Sequence, residues 1–275
     1  MTFALLAVLV GAAPTGPLVF QGPEAWYVLS RSGALLSRVT EMDGSKVREL
    51  AVSPDGETFA FVPVDVMELR IKHQRSSRTS RVPPTGRVVQ SPAFDAQGKW
   101  IYFSQAGLKP HLPNRPMQYS QLWRVPAEGG EATQLSFTVG CHLNPQPAGG
   151  ENVLFTHARC TSGHGVGILE GPKRIERLLV PQEGENGEAI ASPDGARVLF
   201  FKRTGTSNEL HEVALNGKAT RRLHTLKESI AKARLAWAEE PGAVLYQTND
   251  AVWRISADGT HTLVLEFAAA ERNIR

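Results

Sequence analysis

One stretch of the chain gathers most of its ligand-type side chains: Cys141, His142, His157, Cys160 and His164. Thiolates and imidazoles bind zinc and copper, so a divalent metal ion held by His142, His157 and His164 is one reading. The spacing, Cys-His-x14-His-x2-Cys-x3-His, matches no compact metal motif. Cys141 and His142 are neighbours on a strand and must point to opposite faces. The simpler expectation is no metal and no cofactor, with Cys141 bridged to Cys160 in an oxidising compartment. Such a bridge closes a loop of about 20 residues and contributes about 3 kcal/mol in the chain-entropy model. Two thiols are the alternative.

Nucleophilic chemistry finds little support. Ser53 and Ser192 lie in Ser-Pro-Asp-Gly turns, and Asp55, Asp95 and Asp194 read as one recurring turn position. No G-x-S-x-G elbow, phosphate loop or dinucleotide fingerprint is present. The expectation leans away from an enzyme. Binding has better candidates. Arg70, Lys72, Arg75, Arg78, Arg81 and Arg87 follow one another with no acid between them, a stretch suited to an acidic partner. It lacks the interleaved aromatics of a nucleic-acid platform. The segment Leu108–Tyr119 reads as an inserted loop, stiffened by Pro110, Pro113 and Pro116 and carrying Lys109, His111, Arg115 and Tyr119. These two segments are the expected contact surface for a protein partner.

The 275 residues hold 30 basic and 27 acidic side chains, a net charge of +3, so bulk charge implies neither nucleic acid nor an acidic tail. With 41% apolar residues, 25 glycines and 18 prolines, the composition favours a turn-rich all-β chain. Phe3–Val10 is an apolar run followed by Gly11-Ala12-Ala13, which reads as a signal peptide over residues 1–13 and places the protein in the periplasm or outside the cell. The run is shorter than the roughly 20 residues that cross a bilayer, and no other segment approaches that length.

The elements that would position these side chains come from a repeat. Shifted by 226 positions, Val19–Trp26 falls on Leu245–Val252 without a gap. Turn glycines at 16, 56, 98, 150, 195 and 242 stand 40 to 52 residues apart, and most precede an apolar run such as Thr58–Phe61 or Val198–Phe201. Each unit reads as strand, Asp/Gly turn, apolar strand, loop, mixed strand, Gly turn, polar strand. The apolar strand does not alternate, so it is buried on both faces. Four strands repeated every 40–52 residues describe a propeller blade.

The pattern resembles the TolB-like propeller family, whose repeats carry Ser-Pro-Asp-Gly before an apolar strand. Ser53–Phe61 and Ser192–Phe201 match it best, and the resemblance covers nearly the whole chain. It concerns the propeller part alone, since the α/β domain that precedes the propeller in TolB has no counterpart here. The expectation is a single domain over 14–275: a six-bladed β-propeller of four-stranded antiparallel blades near 14–47, 48–88, 89–138, 139–185, 186–230 and 231–275. Loss of residues 1–13 would remove Leu9–Val10, which align with Leu235–Ala236 in the innermost strand. The tail Phe267–Arg275 is then the candidate replacement strand. The resemblance implies a monomeric, exported protein- or ligand-binding module with a partner in the cell envelope. The alternative is a lyase- or lactonase-like propeller enzyme with a metal in its central channel, anchored by His142.

Overall fold

A computed structural model describes residues 16–272, except 77, 83–87, 110–116, 159–163, 182–184, 206 and 227–233. The expected signal peptide over 1–13 lies outside the described residues, as does Cys160 and with it the expected bridge to Cys141.

The chain is nearly all β, in consecutive antiparallel sets. The first set is β1 (Leu18–Gln21), β2 (Trp26–Leu29) and β3 (Leu35–Val39). The second runs β4 (Glu41–Met42), β5 (Ser45–Val52), β6 (Thr58–Pro63), β7 (Leu69–His73) and β8 (Arg78–Val82). The third holds β9 (Val88–Phe94), β10 (Trp100–Lys109), β11 (Met117–Pro126) and β12 (Thr133–Gln134). Next come β13 (Cys141–Pro147), β14 (Val153–Ala158), β15 (His164–Glu170) and β16 (Ile175–Val180). The fifth set is β17 (Glu185–Ala191), β18 (Arg197–Thr204), β19 (Ser207–Ala214) and β20 (Arg221–Leu226). The last is β21 (Leu235–Trp237), β22 (Val244–Gln247), β23 (Ala251–Ile255) and β24 (His261–Glu266), followed by helix α1 (Phe267–Arg272). Single parallel bridges, Ser120 with Cys141 and His164 with Glu185, tie the third, fourth and fifth sets into one sheet.

The unalternating apolar strands feed two cores at once. In β6, Phe59 and Phe61 pack toward the first set while Ala60 and Val62 pack toward the third. In β18, Val198 and Phe200 face the fourth set, Leu199 and Phe201 the last. β22 repeats this, with Val244 and Tyr246 against the fifth set and Leu245 against the first. Apolar burial at about 25 cal/mol per Å² therefore acts on both faces of these strands. Cores lie between every pair of consecutive sets, and one joins the last set to the first.

That last core brings the two ends of the described chain together. Gln247, 2% exposed, accepts from Gln21 N through Oε1 at 2.9 Å and donates through Nε2 to the Gln21 carbonyl at 2.7 Å. These are the very residues that the 226-position repeat aligns. The tail after Glu266 does not add a strand as expected: Phe267–Arg272 is helical, and Phe267 stacks on Tyr27 with ring centroids 5.0 Å apart. The Ala-rich sequence Phe-Ala-Ala-Ala-Glu-Arg favours a helix, and burial of Phe267 and Ala270 fixes it.

The Ser-Pro-Asp-Gly turns are held by their own polar groups. Ser53 Oγ donates to Asp55 Oδ1 at 2.5 Å and accepts from Thr58 N at 2.8 Å, while Asp55 Oδ1 also accepts from Glu57 N. Ser192 and Asp194 repeat the arrangement. Asp95 does not share the Asp55 position, as the sequence suggested. It stands where Ser53 stands, its carbonyl accepting from Gly98 N and its carboxylate replacing the serine hydroxyl over Lys99 N and Trp100 N. Gly16 also differs from the other turn glycines, because a Cβ there would lie 2.5 Å from Pro54 Cα. Close packing requires it, not turn geometry.

Candidate functional site

The sets surround a polar cavity of about 440 Å³. Its wall draws on Gln21 of β1, Glu49 of β5, Gln90 and Ser91 of β9, Asn144 of β13, Asn186 and Glu188 of β17, and Arg234 just before β21. β-Bulges turn these side chains inward. Between Tyr102 and Ser104 two residues, Ser91-Pro92, oppose one, and Asn144-Pro145 and Gly187-Glu188 do the same in β13 and β17. Ser91 and Asn144 take positive φ values of 52° and 51° at those bulges, and Ser91 Oγ donates to Asn144 Oδ1 at 2.8 Å. A second cavity of about 270 Å³ shares Pro92, Gln146, Glu188 and Arg234 with the first and carries Arg31, Asp95 and Trp237 in its wall.

Charge in the cavity is uneven. Arg234 lies 3.7 Å from Glu49 and stacks over the Trp26 ring at 4.9 Å. Gln146 donates to Glu188 at 3.2 Å. Burial pushes the Glu188 carboxyl up to about 7; Arg234 pulls it down, and Glu49 raises it further. Asn186, fully buried, gives its amide nitrogen to the His164 and Pro181 carbonyls, and its Oδ1 has no hydrogen-bond partner among the described residues. A buried carbonyl without a partner costs about 1–3 kcal/mol.

The histidines divide between two places. His142 pairs with His157 across β13 and β14, their rings 5.2 Å apart, but both lie in the gap between the third and fourth sets and not in the cavity wall. His164 is in the cavity wall and apart from them. The His142, His157, His164 set is thus not brought together, nor is His142 a channel anchor. The third member of the cluster is Glu176 of β16, and the ligand atoms of His142, His157 and Glu176 lie within 4.8 Å of one another. His142 Nε2 is 3.2 Å from Glu176 Oε1, and His157 Nε2 is 4.0 Å from the same oxygen. Thr138 Oγ1 donates to Glu176 Oε2 and stands 3.2 Å from His142 Nε2. Burial raises the Glu176 carboxyl, but hydrogen bonds from His142 and Thr138 and the nearby His157 outweigh it and leave it below the ordinary value. Among the described residues no other trio of His, Cys, Asp or Glu converges in this way.

The basic run meets acids from elsewhere in the chain. Arg70 pairs with Glu68 at 2.8 Å, Arg81 with the same carboxylate at 3.8 Å, Lys72 with Asp43, and Arg75 with Glu57 at 3.0 Å. Arg78 is exposed on β8, and Arg87 lies outside the described residues. Much of the expected loop over Leu108–Tyr119 is strand: β10 and β11 extend their pairing to Lys109 and Met117. Tyr119 lies in β11 with its ring over Gly107. His111 and Arg115 lie outside the described residues.

Antiparallel sets whose innermost strands face a shared cavity define a β-propeller. More narrowly, the fold is that of the TolB-like propellers. The structure of putative TolB from Agrobacterium tumefaciens superimposes with a TM-score of 0.63 over 86% of each chain, at 16% identity. TolB from Acinetobacter baumannii gives 0.64 at 14% identity, covering 88% of this chain, which spans 61% of that one. An oligogalacturonate lyase in complex with manganese gives 0.60 at 15% identity, over 91% of this chain and 74% of that one. No family model matches the chain, and no curated protein matches its sequence.

Proposed function

We propose that the chain is a six-bladed TolB-like propeller that binds a small polar molecule in its central cavity. One observation carries the reading: a polar cavity of about 440 Å³ is walled by amide side chains and by charges of both signs. That volume falls within the roughly 300–1,000 Å³ of small-molecule sites. Amides from Gln90 and Asn144 offer donors and acceptors, while Glu49, Glu188 and Arg234 supply both signs of charge. The wall suits a hydroxyl-rich or zwitterionic ligand better than an apolar one. The described cavity residues offer carboxylates but no convergent trio of metal ligands, which favours binding over the metal-dependent lyase alternative. Location in the periplasm or outside the cell, a monomeric ring and an envelope protein partner accompany this proposal and rest on the likeness to TolB structures.

The test is calorimetric titration of purified protein with a panel of simple sugars, amino acids and dipeptides. At least one class should bind, and Gln90→Leu, a change in the cavity wall, should weaken that binding while keeping the fold by circular dichroism. A panel without a binder, or a variant that binds equally well, would sink the proposal.

A further inference from the structure

We propose that His142, His157 and Glu176 form a site for one zinc-class divalent ion in the gap between the third and fourth sets, separate from the central cavity. Proton accounting leads there. His142 is fully buried, and its Nδ1 lies 3.2 Å from the Ser120 carbonyl oxygen, which can only accept. Nδ1 therefore carries the hydrogen of a neutral ring, and Nε2, 3.2 Å from Glu176 Oε1, faces that oxygen with a lone pair unless a second proton or a cation lies between them. Thr138 cannot relieve this, because its one hydroxyl hydrogen goes to Glu176 Oε2 and leaves only oxygen lone pairs facing His142 Nε2. His142 Nε2, Glu176 Oε1 and Thr138 Oγ1 thus meet at one point with lone pairs toward one another. Only a cation or a shared proton satisfies them.

The geometry fits the cation. Zinc bonds of about 2.0–2.2 Å to nitrogen and oxygen place tetrahedral ligands about 3.4 Å apart. The His142–Glu176 pair already has that spacing at 3.2 Å, and His157 at 4.0 Å needs only a small ring movement. A carbonyl holding the remote nitrogen of a liganding histidine is the usual outer support of such sites. Gly140 makes room for the second imidazole: its φ is 148°, and a Cβ there would sit 2.8 Å from His157 Nε2. The His157 and Glu176 side chains are 12% and 19% exposed, so an ion can enter from solvent, and water can take the fourth position. Bound there, it would fasten β16 to β13 and β14.

The experiment uses tag-free full-length protein stripped with EDTA, then titrated with ZnCl2 by calorimetry and with CoCl2 by visible absorption. Wild type should take up one equivalent, show the intense visible bands of tetrahedral cobalt, and gain melting temperature with zinc. Glu176→Gln and His157→Gln change partly exposed positions and should fold without metal. Each should weaken uptake by at least about ten-fold, the lower range for loss of even an outer-shell partner, and lose the zinc-dependent melting shift. Wild type that takes up no zinc overturns the site and leaves an imidazolium–carboxylate pair as the explanation. Variants that bind as tightly as wild type overturn it equally.

Discussion

The central cavity and the His142 cluster are both polar, yet the fold builds them in opposite ways. The cavity follows from the repeat: bulges recur at matching places in β9, β13 and β17, and each turns a polar residue inward. The cluster exists once, where one set departs from the repeat, with Glu176 contributed by an outer strand and Thr138 by the segment between β12 and β13. Cavity-wall side chains border a space of about 440 Å³, whereas His142 lies against Phe155 inside a core, with ring centroids 4.8 Å apart. A propeller can therefore vary its central ligand at little cost to stability, while a site between sheets is bound up with folding.

Substitutions on the two sides should separate by size. Phe155→Ala removes the ring that backs His142 and should cost about 3–5 kcal/mol, read from urea midpoints. A loss under about 1 kcal/mol would mean that the cluster is not part of the core. In the cavity, Arg234→Gln leaves Glu49 and Glu188 without their cation and should cost about 1–3 kcal/mol at pH 8, and less near pH 4 where the Glu188 carboxyl is protonated. Equal cost at both pH values would show that Arg234 acts by packing on Trp26 alone.

Glu188→Gln should go the other way. The folded carboxyl titrates at about 7 against an ordinary 4.5, so its stabilising contribution is complete below 4.5 and is lost as pH rises through 7. The variant should exceed wild type by about 1–2 kcal/mol at pH 8, since water in the cavity screens part of the shift, and match it near pH 4. A gap independent of pH would place Glu188 outside the titrating network. The smallest effect belongs to the rim. The Arg75 side chain is 82% exposed, and Arg75→Gln should leave the melting temperature unchanged at physiological salt. A measurable drop would show that the basic run contributes to the fold.

The sequence carried the architecture because the repeat is written in local chemistry. Ser-Pro-Asp-Gly turns, apolar runs such as Val198–Phe201 and their 40–52-residue spacing are all legible, and the two-sided burial of β6, β18 and β22 follows from them. The candidate sites were less legible. Glu176 belongs to no motif with His142 or His157, and only β16 bringing it back over the sheet unites them. The acids that pair the basic run, Asp43, Glu57 and Glu68, lie before it in the chain and reach it through the pairing of β4 to β8. The cavity residues are amides of ordinary appearance. Their trace in the sequence is Ser91-Pro92 and Asn144-Pro145, where proline after a small polar residue marks a break in strand pairing.

The reciprocal bonds between Gln21 and Gln247 also set a timetable. During synthesis at about 5–20 residues per second, Gln247 follows Gln21 by roughly 10–45 s. Until then the Gln21 backbone and the apolar face bearing Leu18, Phe20 and Tyr27 have no cover, because the cover of that face comes from Leu245, Val252 and Phe267. The first part of the chain to be made is thus the last to be sealed. Slow elongation or a stall before residue 267 leaves Phe20 and Tyr27 exposed, an apolar face suited to association with another copy. Holding chaperones should engage the set β1 to β3, and release it only when the set β21 to β24 and helix α1 have docked on it.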